Sequence, residues 1–275
     1  MQATEYHLYR VKFIKPVQMD FFSADRSPRE FFEMALAEKP SLELRKNNVW
    51  RIANIEQITP DGGRFAVGRT TITTVEKFDI ASGNFTDLVD DSGPYTFVYF
   101  DSRLGLIGIG KRTKVAANVK TIAGTIQKLL SKTETASHNR LTVHVDYIPD
   151  PESFLEKIYS AHAIKNFKAH FTGPNPIDAD ELFQKPMSYY CKELDGTNGN
   201  VSVNGNALSA DAVAAVAKST AATANRASAA IQLEHEGRVI PISLKGDAKF
   251  ILVDQDCEKL QTLKAIQSAY REIRE

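Results

Sequence analysis

The segment from Ser102 to Thr133 carries Arg103, Lys111, Arg112, Lys114, Lys120, Lys128 and Lys132 and no aspartate or glutamate. Lysine and arginine gathered on one surface are what contact with a phosphate backbone requires. The segment has no interleaved aromatic residue, which argues against stacking of single-stranded bases there. The expected contact is with backbone, without sequence preference. Arg103, Lys111, Arg112, Lys114 and Lys120 are the first candidates, with Lys218 and Arg226 as secondary ones. The plainer alternative is a solvated helix face whose charges are balanced by acids elsewhere in the chain.

Other spacings point to chemistry less strongly. Gly105, Gly110 and Lys111 match G-x-x-x-x-G-K, but a phosphate loop needs a Ser or Thr next, whose hydroxyl holds magnesium, and Arg112 stands there. The glycines also lie in an apolar stretch after a hairpin turn, so a strand with glycines for close packing accounts for them. His144 and Asp146 sit two apart on an expected strand and share one face, where a histidine and a carboxylate could bind metal or share a proton. Asp87, Asp90 and Asp91 form an acidic run such as a metal-dependent nuclease uses. Asp247 and Lys249 precede an apolar run in the manner of a nuclease acid and lysine. His144 and Asp146 have no third ligand by spacing, the three aspartates lie in a Gly-, Ser- and Asn-rich stretch that reads as a solvated turn, and Asp247 and Lys249 lack a partner acid, so no catalytic residue, metal ligand or cofactor is assigned. Cys191 and Cys257 have no metal-type spacing and read as reduced thiols.

These residues need elements to hold them. EYHLYRVKFI alternates as a strand. In SPREFFEMALAEKP, Ser27, Pro28 and Glu30 spell a capping box with proline at the first helical position, and Pro40 ends the helix. NNVWRIANIEQI and RFAVGRTTITTVEKF read as strands around the turn Pro60–Gly63, and ASGNFTDLVDDSGP as a surface loop. YTFVYFDSRLGLIGIGK reads as a hairpin turning at Asp101–Arg103. TKVAANVKTIAGTIQKLLSK reads as an amphipathic helix with Val115, Val119, Ile122, Ile126 and Leu129 inward. RLTVHVDYI is a strand. Asp150 is expected to cap a helix with Pro151 first, running to about Ala161, and IKNFKAHF is another strand. Asp178 is expected to cap a helix reaching about Cys191, interrupted near Pro186. DGTNGNVSVNGN is turn-rich around a short strand, GRVIPISL and AKFILVD form a strand pair, and CEKLQTLKAIQSAYREIRE is a terminal helix.

Between Ala210 and Ala230, eleven of twenty-one residues are alanine. Ser209 is expected to cap a helix running through this stretch, which at 1.5 Å per residue would span roughly 35 Å. Its stripe of Val213, Ala217, Thr220, Ala224, Ala227 and Ile231 suits close approach to another helix or sheet, within the chain or between copies. A second face would carry Lys218, Ser219, Thr223, Asn225 and Arg226.

The 275 residues carry 43% hydrophobic and 25% charged residues and a formal net charge of zero. That composition is globular, and any polyanion binding must come from a local patch. The N-terminus has no continuous apolar core of a signal peptide, and no apolar run approaches the roughly 20 residues that cross a bilayer. A cytoplasmic protein without membrane contact is expected. Gly173-Pro174-Asn175-Pro176 is the best linker, dividing the chain into a larger α+β domain at 1–172, with the basic hairpin and helix, and a smaller one at 177–275, with the alanine-rich helix. The absence of strict βαβ alternation predicts an α+β fold with mixed, mostly antiparallel sheets.

The run YTFVYFDSRLGLIGIGKRTKVAANVKTIAGTIQKLL, followed by LTVHVDYIPDPESFLEKI, resembles the bacterial RdgC-type recombination-associated proteins over residues 95–158. That resemblance implies a ring-like, non-specific, double-stranded DNA binder without catalysis, the basic run facing DNA. The overall texture is also similar to that of bacterial proteins from phage-defence loci. The expectation is thus a non-enzymatic, self-associating protein that binds nucleic-acid backbone. A metal-dependent nuclease or toxin-like effector, and a protein-interaction subunit of a defence complex, stand as alternatives.

Overall fold

A computed structural model of the chain describes residues 3–15, 26–45, 48–71, 73–90, 93–172, 177–235 and 237–275. The linker residues 173–176 and Asp91 lie outside them. From the N-terminus run β1 (Ala3–Ile14), α1 (Pro28–Ala37), β2 (Ser41–Arg45), β3 (Asn48–Thr59), β4 (Gly62–Thr71), β5 (Thr73–Asp79), β6 (Asn84–Asp90), β7 (Tyr95–Asp101) and β8 (Leu106–Gly110). Next come α2 (Val119–Ser131), α3 (Glu134–His138), β9 (Thr142–Tyr147), α4 (Glu152–Ser160) and β10 (Ala163–Thr172). The remainder is α5 (Gln184–Glu193), β11 (Asn198–Asn204), α6 (Ala210–Ala222), β12 (Ala227–Gln232), β13 (Val239–Ser243), β14 (Phe250–Asp254) and α7 (Lys259–Arg274). The fold class is α+β, and every strand pairing among the described residues is antiparallel.

An eight-stranded sheet runs β14-β1-β8-β7-β4-β3-β2. β1 is long enough to hold two partners end to end on one edge. Ala3 to His7 pair with β14, and Tyr9 to Ile14 pair with β9. A four-stranded sheet runs β11-β10-β12-β13, and β5 and β6 form a separate hairpin. Strands from the two sides of residues 173–176 are exchanged: β14 joins the large sheet, and β10 is central in the small one.

Alternate residues of β1 serve two cores. Tyr9, Val11 and Phe13 join Phe65, Val67, Ile107 and Ile109 beneath α1, α2 and α3. Tyr6 and Leu8 point the other way, into a core shared with α7, α6 and the small sheet. α7 packs on the large sheet, α6 lies on β10 and β12, and α6 packs against α7. The alanines explain that arrangement. Ala214, Ala217, Ala221 and Ala222 are buried with almost no side chain to displace, so α6 fits between a helix and a sheet. Its small side chains thus serve packing inside the chain.

α1 forms as its sequence dictates. The Ser27 hydroxyl accepts from the Glu30 amide, and the Glu30 carboxylate takes the Ser27 amide at 2.7 Å. Other expectations need correction. α6 ends at Ala222, because residues 227–232 form β12 between β10 and β13. Sheet pairing there outweighs the helix propensity of alanine. The Ala224, Ala227 and Ile231 part of the expected stripe is therefore not helical, and neither are Asn225 and Arg226. α2 starts at Val119, so Lys114 and Val115 precede it in a turn. ASGNFTDLVDDSGP is not all loop: β6 pairs with β5 through a turn at Gly83, where φ is +69°. Asp178 does not cap α5, which starts at Gln184. Asp180 accepts from the amides of Phe183 and Gln184 instead, and Pro186 fits inside the first turn without breaking the helix. The segments GRVIPISL and AKFILVD do not pair with each other but enter different sheets.

Candidate nucleic-acid interface

α2 is built to show one face. The Asn118 carboxamide oxygen caps it, accepting from the Thr121 amide at 2.8 Å. Ile122, Ala123, Ile126, Leu129 and Leu130 are buried against the sheet, and the Gln127 carboxamide oxygen accepts from the Val145 amide on β9 at 3.0 Å. That leaves Lys120, Thr121, Gly124, Lys128, Ser131 and Lys132 in solvent. Lys120, Lys128 and Lys132 fall within roughly 120° of the helix circumference and span about 18 Å of its axis. α2 itself contains no acid.

The structure sorts the seven cations into two kinds. Arg103, at the β7–β8 turn, lies 3.9 Å from Asp61. Lys111, at the far end of β8, pairs with Glu5 at 2.9 Å. Beside it, Arg112 donates to the Tyr95 carbonyl at 2.6 Å and lies over the Tyr95 ring. Lys114, Lys120, Lys128 and Lys132 are exposed and have no ion-pair partner among the described residues. Lys218 on α6 is half-buried and Arg226 is exposed ahead of β12, both on the other side of the large sheet from α2.

The acidic candidates stay dispersed. Asp87 on β6 faces Glu76, and β6 closes at Asp90. His144 and Asp146 share a face of β9, where Asp146 lies 3.8 Å from the buried Lys12 amine. Lys249 pairs with Asp150 at 3.0 Å and Glu152 at 3.5 Å rather than with Asp247. Among the described residues, no group of three or more His, Cys, Asp or Glu side chains surrounds a point where a metal could sit. Cys191 and Cys257 are free and half-buried. The glycine pattern belongs to packing. A Cβ at Gly110 would meet the Thr96 hydroxyl at 2.9 Å and the Phe97 carbonyl at 3.1 Å, and Gly105 turns the hairpin at φ +61°.

Two groups of functional interest were missed in the sequence. Arg10 and Lys12 are 2% and 3% exposed, on the face of β1 opposite α2. Lys12 donates to Asn225 Oδ1 at 3.3 Å, and burial lowers its pKa to about 8. Arg10 donates to the Tyr270 hydroxyl at 3.4 Å. The second group is aromatic. Tyr95, Phe97 and Tyr99 alternate along β7 onto that same face. Arg64 lies 4.2 Å over the Phe97 ring, and Tyr6 meets Tyr99 edge-on at 5.5 Å. The period-two aromatics of YTFVYF were the available signal.

No family model matches the chain, and no curated protein matches it at a significant level. None of the described helices is long and apolar enough to cross a membrane.

Proposed function

We propose that this chain is a non-enzymatic bacterial cytoplasmic protein that binds nucleic-acid backbone through the solvent face of α2 and associates with copies of itself. The observation that carries the reading is the set of four exposed lysines, Lys114, Lys120, Lys128 and Lys132, with no ion-pair partner among the described residues and in a segment, Ser102 to Thr133, that contains no acid. Flexible ammonium groups from Lys120 to Lys132, along about 18 Å, suit successive phosphates, and they carry no base readout. The setting would be genome maintenance or phage defence. Self-association is supported by the β5–β6 hairpin, which has no extensive contact with another element among the described residues. Its Phe78 and Phe85 stack edge-on while 48% and 78% exposed, and Ile80 at the turn is 89% exposed. A protein partner is the second reading, favoured by exposed Tyr189 and Tyr190 on α5 and Leu194 at its end.

The test is fluorescence anisotropy with labelled duplex DNA across a salt series. Each phosphate contact contributes about −0.9 to the slope of log affinity against log salt. Reversing Lys120, Lys128 and Lys132 to glutamate is expected to flatten the slope by roughly three and to weaken binding more than tenfold at low salt. Reversing Lys111 and Arg112, whose side chains are already engaged, is expected to do much less. Equal affinity of the triple variant and the wild type would overturn the reading.

A further inference from the structure

The face of the large sheet opposite α2 is unevenly covered. α7 begins at Lys259, and in front of its first turn β1, β3, β4 and β7 floor a cavity of about 910 Å³. Tyr6, Phe97, Tyr99, Arg64, Lys259 and Cys257 are among its walls. The guanidinium is fixed over Phe97 because Glu56 accepts from its Nε at 2.9 Å, while the same carboxylate takes the Lys259 amine at 2.6 Å. Hydrogen bonds from Lys259 and then Arg64 hold the Glu56 carboxyl below its usual range. Burial opposes the charge on Arg64, but its bonds to Glu56 and Tyr99 outweigh that and keep it cationic. The ring of Tyr6 is 9% exposed, yet its hydroxyl has no hydrogen-bond partner among the described residues. The hydroxyl opens on the cavity, where an acceptor on a ligand can take the place of water.

The walls also limit what that ligand is. Arg64 and Lys259 face Glu56, Asp254 and Glu258, so the lining is slightly acidic and offers no clamp for phosphate. An aromatic wall with a stacked guanidinium, edged by a free hydroxyl, suits a flat ring that accepts hydrogen bonds at its rim. We propose that this cavity binds a nucleobase. The ring stacks on the Phe97–Arg64 and Tyr6 wall, and the Tyr6 hydroxyl donates to its polar edge. The base could come from a free nucleoside or from an unpaired position in a single strand. The site lies across the sheet from the lysine face and does not depend on it.

The experiment titrates the intact protein with adenosine, guanosine, cytidine and uridine, and separately with a short polythymidine strand, by calorimetry. Nucleoside binding, or strand binding that persists when Lys120, Lys128 and Lys132 are reversed to glutamate, supports the site and identifies the source of the base. Tyr6→Phe removes only the hydroxyl and is expected to weaken binding several-fold; Arg64→Lys keeps the charge, loses the plane, and is expected to weaken it about tenfold. In a Cys191→Ser background, bound nucleoside or strand is expected to slow reaction of Cys257 with a thiol reagent. No binding in either arm overturns the proposal. So does binding that is indifferent to Tyr6→Phe and Arg64→Lys and leaves Cys257 unprotected, even where duplex binding through the α2 lysines persists.

Discussion

The two faces of the eight-stranded sheet share their strands and differ in almost everything else. Under α1, α2 and α3 the contacts are aliphatic and aromatic, and charged groups are pushed to the outer side of the helices. On the opposite face β1 buries Arg10 and Lys12 two residues apart, and their partners Asn225 and Tyr270 come from the far end of the chain. A buried amine loses more hydration than a long bond to the Asn225 amide and a carboxylate, Asp146, at 3.8 Å return. The first face therefore supplies stability, while the second uses some of it to hold polar groups and an open cavity. Alternation along one strand is enough to separate the two roles.

The sharpest break of this contrast lies on the first face. Leu129→Ala leaves a hole beneath α2 and is expected to cost about 2–5 kcal/mol, read from urea unfolding. The second face should show itself through pH. Lys12 has a folded pKa near 8, below its ordinary 10.5. Between those values the unfolded chain holds the proton and the folded chain does not, so stability rises with pH across that window. Below pH 8 both states are protonated, and the burial cost is fully present. The rise amounts to roughly 3 kcal/mol and should vanish in Lys12→Met. The difference between wild type and variant is the quantity to follow. Tyr6 and Tyr9, pushed up to about 12 chiefly by burial, pull stability the other way above pH 10 in both proteins. Ser27→Ala removes one half of the α1 capping box and is expected to cost about 1 kcal/mol of thermal stability. The smallest effect expected is that of glutamate at Lys120, Lys128 and Lys132, within about 0.5 kcal/mol by the same unfolding measurement. A large loss there would mean that the lysines are structural and that the two faces are less distinct.

Local signals in the chain were readable where a few neighbouring residues decide the outcome. The Ser27–Glu30 box, the β7–β8 hairpin and the inward stripe of α2 are of that kind. Partner choice is not local. The run AKFILVD is a good strand by itself, but nothing in it names β1 as its neighbour. The alanine stretch has the highest helix propensity in the chain, and its second half becomes β12 because β10 and β13 need a strand between them. Of the basic surface, the sequence located the cations but not Glu5 and Asp61, which engage Lys111 and Arg103 from distant positions. The aromatic cavity combines Tyr6, Arg64 and Tyr99 from three strands. Its only local trace was the alternation in YTFVYF.

The pairing of β1 with β14 has a consequence for the order in which the molecule is made. Ala3 to His7 wait for a neighbour about 245 positions later. A ribosome adding roughly 5–20 residues per second needs many seconds to deliver it. Throughout that interval the edge from Ala3 to His7 is a bare strand with open amides and carbonyls, the form most able to recruit another chain. The time before Phe250 to Asp254 emerge is thus the period of greatest aggregation hazard, and a nascent chain halted short of β14 would keep that edge open indefinitely.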